Sequence, residues 1–245
     1  AVRPVGAPMR GSSSQPPRWQ DDGLSISFRS CQLQGLVSLH DALATAQNGG
    51  QPVVPSDVMH LDVAENEVEL TAGLQPFTQL LSLDLSHNNV EELTQLPSAM
   101  LHLNASYNRV QSIEGVGGLT QLVELNLGYN LITSLQPLER LTHLQVLLAA
   151  GNRIGSLHGL SGMGMLECLD LKCNYVERLA EVRVLSLNAA LRVLTLQGNP
   201  VAKQRDYRAA IASELPALLT LDAQRTPKSS AQRAHSAAAP RAAAA

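Results

Sequence analysis

The sequence predicts an α/β solenoid, in which short repeats stack with a parallel sheet on the concave face and tight turns on the convex face. Two observations carry this prediction. An eleven-residue pattern, Leu-x-x-Leu-x-Leu-x-x-Asn-x-Ile, stands at residues 122–132 and recurs in register six more times. The asparagines at the ninth position of the pattern follow one another at intervals of 22, 20, 22, 22, 22 and 25 residues. The other six copies begin at Val58, Leu80, Met100, Leu144, Leu166 and Leu191.

Self-similarity at roughly 20–29 residues with this leucine and asparagine pattern is typical of leucine-rich repeats. The leucines have the spacing of a strand that buries one face, and no single repeat buries its leucines alone, so neighbouring repeats must share a core. Each asparagine amide has donors and an acceptor for backbone groups left bare where the strand ends. The predicted asparagine ladder comprises Asn66, Asn88, Asn108, Asn130, Asn152, Asn174 and Asn199.

Composition narrows the class of protein. The chain has 245 residues, of which 44% are apolar and only 3% are aromatic, so we expect an aliphatic core. The chain does not open with a charged segment followed by an apolar one, and it has no long apolar run, so the sequence predicts neither secretion nor a membrane span. The three cysteines do not have the spacing of a disulfide framework. We therefore expect an intracellular, cytoplasmic protein. Because the chain begins with Ala1 and not Met, a processed or missing N-terminal segment stays open.

Charge is unevenly distributed along the chain. The net charge is +1 for residues 1–23 and +4 for residues 223–245, which leaves −8 for residues 24–222 of the total of −3. An acidic body argues against a surface that binds nucleic-acid phosphates, and it favours a basic or neutral protein partner.

The segments outside the seven repeats set the predicted domain boundaries. Residues 1–23 are rich in proline, glycine and serine and predict a disordered leader. Residues 24–40 have the spacing of a degenerate first repeat, with Cys31 at the asparagine position. Residues 41–57 concentrate glycine and proline, so we expect a loop insertion. A loop that contacts a partner is the alternative interpretation.

The repeats, residues 58–201, lead into a predicted cap at residues 202–222 that covers the C-terminal end of the core. Three apolar residues spaced four apart form one stripe of a helix in this cap, and Pro216 ends that helix. Residues 223–245 are basic and rich in alanine and predict a disordered tail. The predicted leucine-rich repeat domain is therefore residues 24–222.

The cap carries a family resemblance. Asn-Pro-Val at 199–201, Tyr-Arg eight residues after Asn199, and Leu-Pro-x-Leu-x-x-Leu-Asp at 215–222 resemble the C-terminal cap of short eukaryotic leucine-rich repeat proteins of the 22-residue type. That group includes the phosphatase-1 regulatory repeat protein, the spliceosomal A-prime protein and the axonemal dynein leucine-rich light chain. The resemblance implies a non-enzymatic scaffold or adaptor in a cytoskeletal or ciliary complex. A regulatory subunit of a protein phosphatase and a spliceosomal ribonucleoprotein component are the alternatives.

The sequence predicts no catalytic site. The seven histidines are scattered and none pairs with cysteine or a carboxylate at metal-ligand spacing, and no nucleophile elbow, phosphate loop or paired-carboxylate motif is present. Cys168 and Cys173 both fall on the predicted open side, so metal binding or oxidation is an alternative to two unrelated thiols. We expect no enzyme activity, no cofactor and no metal.

The register of the repeats predicts a partner-binding surface on the concave face, because parallel strands bring equivalent positions to about 4.8 Å. Asp62 and Asp84 are expected to bind basic residues of a peptide or helix, while Tyr107 and Tyr129 form an aromatic and aliphatic centre. Solvated strand faces are the alternative. We expect a chain that is monomeric within a larger complex. The predicted partner-binding residues are Asp62, Glu65, Asp84, His87, Asn104, Tyr107, Asn126, Tyr129, Val146, Leu148 and Asp170.

Overall fold

Ten strands form one open sheet in the computed structural model, which describes residues 24–36, 39, 43, 47–48 and 51–226. The predicted leader and most of the predicted tail lie outside these residues. The spatial order of the strands follows the sequence, and all neighbours are parallel except the last pair. The predicted fold class, a leucine-rich repeat solenoid, is confirmed.

Short strands supply this sheet, because each repeat turns away after about three residues. The ten strands are β1 (Leu24–Ser27), β4 (Val58–Asp62), β5 (Ser82–Asp84), β6 (His102–Asn104), β7 (Glu124–Asn126), β8 (Val146–Leu148), β9 (Cys168–Asp170), β10 (Val193–Thr195), β11 (Thr220–Leu221) and β12 (Gln224–Arg225). A separate antiparallel hairpin consists of β2 (Gln47–Asn48) and β3 (Gln51–Pro52).

The leucines of the pattern face a single continuous core. The central leucine of each strand pairs in register with that of the next, as Leu103, Leu125 and Leu147 do, and all three are buried. The core is aliphatic, with Phe28 and Phe77 the two phenylalanines inside it. Each repeat therefore buries its apolar face only by lying between two others.

Short helical turns close the repeats on the convex side, as the spacing predicts. Two 3-10 helices, Glu114–Gly118 and Gln136–Arg140, each bury one apolar residue. The longest repeat interval, between Asn174 and Asn199, holds α1 (Leu179–Arg183) followed by a 3-10 turn. The three extra residues of this interval are thus absorbed on the convex side and leave the strand register unchanged.

Each ladder asparagine joins two neighbouring repeats through its side chain. The Nδ2 group of Asn130 donates to the carbonyl oxygens of Leu127 (3.0 Å) and Gly128 (3.3 Å) in its own turn and of Ala105 (2.9 Å) in the preceding repeat. Its Oδ1 accepts from the backbone N–H of Val110 at 2.9 Å. At all seven asparagines, Nδ2 donates to carbonyl oxygens of its own repeat and of the preceding repeat, and Oδ1 accepts a backbone N–H. Six of the seven are buried and Asn108 is partly buried.

The N-terminal end is closed by the degenerate first repeat. Cys31 takes the place of an asparagine, and its backbone N–H donates to Oδ1 of Asn66 at 2.9 Å. Of the predicted loop insertion at 41–57, the described residues include the antiparallel pair β2–β3 and a 3-10 turn at Pro55–Asp57. Leu43 from the same segment is buried in the core.

The C-terminal end is closed by α2 (Tyr207–Glu214), which buries Tyr207 and Ile211. The Tyr207 hydroxyl donates to Oδ2 of Asp222 at 3.0 Å, and burial together with this carboxylate raises the pKa of the tyrosine. The chain reverses directly after Asp222, where the predicted cap ends, and the strand β12 pairs antiparallel with β11, so the sheet continues to Arg225.

We expect Asn130→Leu to lower the free energy of unfolding by about 3 kcal/mol or more, although it adds apolar surface. Several buried backbone groups would lose their partner, and each such loss costs about 1–3 kcal/mol. Urea denaturation followed by circular dichroism measures the change. Asn89→Leu is the matched control, because Asn89 lies on the same edge outside the ladder and only its backbone N–H is bonded there. A loss no larger than that of the control would contradict the role of the ladder.

Candidate partner-binding surface

Two columns of side chains run along the concave face, and each of the seven strands from β4 to β10 contributes one residue to each column. The backbone register places their members opposite one another across every strand pair. The first column consists of His60, Ser82, His102, Glu124, Val146, Cys168 and Val193. The second column consists of Asp62, Asp84, Asn104, Asn126, Leu148, Asp170 and Thr195. All predicted strand residues of the site lie in these columns.

The polar members of the second column are fixed by their own turns. In five of them the Oδ1 atom accepts the backbone N–H two residues further on, at 2.9–3.2 Å, which is the bond of an Asx turn. These five are Asp62, Asp84, Asn104, Asn126 and Asp170. The side chains are therefore preorganised, and each has a second polar atom that faces away from the turn.

Arg29 joins the acidic residues at the N-terminal end of the face. Its guanidinium lies 3.1 Å from Oδ2 of Asp62, 2.8 Å from Oε1 of Glu65 and 3.6 Å from Oδ2 of Asp84. Asp62 and Asp84 were expected to bind basic residues of a partner, but Arg29 of the same chain already pairs with both. One arginine facing three carboxylates leaves the cluster with a net charge of about −2, so it stays acidic.

Sequence reasoning missed Arg29 because this residue follows its strand and reaches the acidic residues only through its long side chain. Ser27 pairs with Asp62 in the sheet, which places the residues that follow Ser27 beside the acidic cluster. The Ser30 hydroxyl donates to Glu65 at 2.8 Å. This hydrogen bond, and then Arg29, hold the pKa of Glu65 below its ordinary value of 4.5. Cys31 and Asn66 are 35 residues apart, and the same offset extended back along the first repeat would place Arg29 beside the acidic residues Asp62 and Glu65.

Three aromatic rings stack along the edge where the strands end. The ring centroids of His87 and Tyr107 lie 4.3 Å apart and those of Tyr107 and Tyr129 lie 4.5 Å apart, with interplanar angles of 8° and 13°. Tyr107 and Tyr129 are 46% and 50% exposed. The three rings belong to the turn row, which consists of the left-handed residue before each ladder asparagine: Glu65, His87, Tyr107, Tyr129, Gly151, Cys173 and Gly198. We refer to His87, Tyr107 and Tyr129 as the aromatic row.

The next residue along the same edge, Gly151, covers the end of the aromatic row. A Cβ atom on Gly151 would lie 2.7 Å from the ring of Tyr129, so the ring rests on the glycine backbone. His87 and Tyr129 therefore cover the two faces of Tyr107, and Tyr107 and Gly151 cover the two faces of Tyr129. What the tyrosines present to a partner is their edges and hydroxyl groups.

The backbone of the aromatic row is left-handed. The φ angles of His87, Tyr107 and Tyr129 are +56°, +55° and +57°, and glycine occupies the equivalent turn position at Gly151 and Gly198. A residue other than glycine in this region costs about 1–2 kcal/mol. Histidine and tyrosine are thus held where glycine would be less strained.

The C-terminal half of the concave face is mostly apolar, with Asp170 and Thr195 as its polar members. Val146 and Leu148 were predicted site residues, and the structure places Cys168 and Val193 beside them in the first column. All four are partly or fully exposed. Burial, followed by the charges of Asp170 and Glu124, raises the pKa of Cys168 and favours its neutral thiol.

Cys168 and Cys173 are free thiols. Among residues 24–36 and 51–226, together with the few described between them, no group of three or more His, Cys, Asp or Glu side chains could hold a metal ion. None of the helices in this part of the chain is long and apolar enough to cross a membrane.

The sheet, the asparagine ladder and the caps define a leucine-rich repeat solenoid with an open concave face. Residues 99–244 match the family model described as Leucine-rich repeat, which is more than half of the chain. The chain belongs to the leucine-rich repeat family, whose members are typically scaffolds for protein–protein interaction.

Individual relatives match only parts of the chain. Human serine/threonine-protein kinase 11-interacting protein is 44% identical over 72 residues, which are 29% of this chain and 7% of that protein. Human leucine-rich repeat-containing protein 56 is 37% identical over 100 residues, covering 36% of this chain and 18% of that protein. The chain therefore spans a small part of the length of these curated relatives.

Solved structures support the same fold. An internalin (inlF) from Listeria monocytogenes is 26% identical, with a TM-score of 0.59 over 68% of this chain and 48% of that one. Internalin C2 (inlC2) from the same organism is 20% identical, with a TM-score of 0.61 over 76% of this chain and 91% of that one, and it shows the fold alone.

We expect Arg29→Met to lower the free energy of unfolding by about 1 kcal/mol at pH 7, because three carboxylates lose a shared charged donor. The pKa of Glu65 is lowered in the folded state, so its contribution is complete above the ordinary value of 4.5 and is lost as the pH falls through the lowered pKa. The difference between the variant and the natural chain should therefore shrink at pH 3.

Urea denaturation at pH 7 and pH 3 measures both effects. Arg178→Met is the control, because Arg178 pairs with Glu181 on the convex side and its side chain is 77% exposed. Equal losses for the two variants at pH 7, or an unchanged difference at pH 3, would contradict the electrostatic role of Arg29.

Proposed function

We propose that the chain is a non-enzymatic scaffold or adaptor that binds a protein partner across the concave face and the aromatic row. The observation that carries this proposal is the aromatic row itself. The row places two of the chain's four tyrosines side by side and half exposed, and tyrosine is enriched in the residues that dominate binding energy at interfaces.

The backbone strain supports a binding role for the row. Glycine at Gly151 and Gly198 fits the same turn position, so the fold itself does not require an aromatic ring there. Left-handed residues with bulky side chains persist where a function retains them. Stacking also fixes the rings before a partner arrives, which lowers the entropy that binding costs.

The charges of the concave columns support a partner with basic residues. The two columns contain four carboxylates and neither lysine nor arginine. Arg29 lies 3.1 Å from Asp62 and 3.6 Å from Asp84, so it compensates only part of their charge. The rest of that charge, together with Glu124 and Asp170, is available to basic side chains of the partner. Electrostatic complementarity of this kind raises the association rate and fixes orientation.

The order of these features supports an amphipathic peptide or helix that lies across the strands. The acidic end at β4 and β5 and the apolar end at β8 to β10 are separated by at least three strand spacings, or about 14 Å. That distance equals about ten residues of helix or about four residues of extended chain. A partner segment should therefore carry basic and apolar residues at that separation.

For the assembly in which the chain acts, we retain the cytoskeletal or ciliary complex that the resemblance of the C-terminal cap implies, with one copy of the chain in it. Imaging of a tagged copy in ciliated cells tests this assignment. Signal at the cilium or along the cytoskeleton is expected, and exclusive nuclear signal would contradict it and favour the spliceosomal alternative.

We expect the double substitution Tyr107→Gly and Tyr129→Gly to reduce recovery of the partner at least tenfold in quantitative affinity purification. The change removes both rings but leaves glycine in a backbone conformation that glycine favours, so the fold should be preserved. Circular dichroism and urea denaturation verify the fold.

Tyr175→Ala is the matched control, because Tyr175 is 59% exposed and lies outside the aromatic row. The control should leave recovery unchanged. Cross-linking of the purified complex should place the partner on the concave face. Unchanged recovery with the double variant, at a preserved fold, would refute this binding site.

A further inference from the structure

We propose that Asn104 and Asn126 together bind the side-chain carboxamide of a glutamine or asparagine in the partner. This inference rests on the proposed function, because it assigns the chemistry of the partner at the middle of the same face. It concerns β6 and β7, which lie between the acidic end and the apolar end.

The two amides have a fixed orientation. Oδ1 of Asn104 accepts from the backbone N–H of Ser106 at 3.2 Å and from its hydroxyl at 2.8 Å, and Oδ1 of Asn126 accepts from the backbone N–H of Gly128 at 3.0 Å. The oxygen of each amide is therefore turned into the protein. The Nδ2 groups face the open side, and neither is hydrogen-bonded to another residue in the described part of the chain.

The spacing of the two donors fits one carbonyl oxygen. Asn104 and Asn126 pair in register, so equivalent atoms lie about 4.8 Å apart. An oxygen placed between them at about 2.9 Å from each nitrogen makes an N···O···N angle of about 110°, close to the directions of the two lone pairs of a carbonyl oxygen. A single acceptor can thus take a hydrogen bond from both amides.

The surroundings favour a neutral acceptor over a carboxylate. Asp84 neighbours Asn104 in the same column, Asp170 lies one strand beyond Leu148 on the other side of the pair, and Glu124 precedes Asn126 by two residues on the same strand. A carboxylate from the partner would be repelled by these charges. A carboxamide carries no charge, and its own NH2 group can donate to a neighbouring carboxylate such as Glu124.

Asn126→Asp tests the donor without disturbing the turn. Asp62, Asp84 and Asp170 hold the equivalent backbone N–H through Oδ1, so the chain already accommodates aspartate in this column. The substitution keeps the acceptor oxygen and replaces only the outward NH2 group by a charged oxygen. Asn89→Asp is the control, because it makes the same change at an asparagine that lies outside both columns and has only its backbone N–H bonded among the residues that the structure describes.

The probe is a phage-displayed library of random twelve-residue peptides, selected on the immobilised full chain and sequenced. With the natural chain we expect peptides that carry glutamine or asparagine between basic and apolar residues. With Asn126→Asp this preference should disappear, and lysine should be enriched at the same position. In fluorescence polarisation, a selected synthetic peptide should bind the variant at least tenfold more weakly and the control equally well.

The outcomes separate this inference from the proposed function. Peptides that need Tyr107 and Tyr129 but show no preference for glutamine or asparagine, or that bind Asn126→Asp equally well, would overturn the carboxamide site and leave the proposed function standing. A glutamine-to-glutamate change in the peptide that does not weaken binding would also overturn it. Selected peptides that ignore both the tyrosines and Asn126 would refute the proposed function.

Discussion

The hydrogen bonds of the ladder asparagines are the constraint on which the remaining structure depends. Each amide satisfies backbone groups of two consecutive repeats, and these groups would otherwise be buried without partners. The seven amides therefore keep the ends of the strands in line. Because the strand ends are in line, the concave columns and the turn row stay in register over seven repeats, and a surface defined by position becomes possible.

The concave face that results is divided along its length. The N-terminal strands carry carboxylates gathered around Arg29, the middle strands carry outward amide donors, and the last strands carry valine, leucine and cysteine. The turn row adds the stacked rings beside the middle strands. The proposed partner would contact these differing strips in order along the face, and that order would supply its specificity.

The fold could be predicted from the sequence because leucine and asparagine recur at fixed intervals, and repetition makes register readable without any knowledge of distant contacts. Asp62, Asp84, Asn104 and Asn126 were placed in their columns for the same reason. Arg29 was not predicted, because it follows its strand and only the path of its long side chain brings the guanidinium to Asp62 and Asp84. The β12 strand was missed because its pairing reverses the direction of the sheet.

The stacking of the tyrosines depends on backbone geometry that spacing does not specify. The pattern predicts that Tyr107 and Tyr129 are neighbours, but only their left-handed φ angles and the absence of a side chain at Gly151 determine that the rings lie parallel and half exposed. Spacing alone therefore does not predict the exposed edges and hydroxyl groups of the aromatic row, nor the outward orientation of the Asn104 and Asn126 amides.

The position of the aromatic row outside the core has an evolutionary consequence. A residue in this turn row touches its neighbours along the edge and contributes nothing to the leucine interior, so one member can mutate while the repeat that carries it continues to stack. Recognition and folding are therefore encoded by separate positions of each repeat. Descendants of such a chain can acquire new binding preferences through substitutions along this one edge, while the residues that determine the fold stay unchanged.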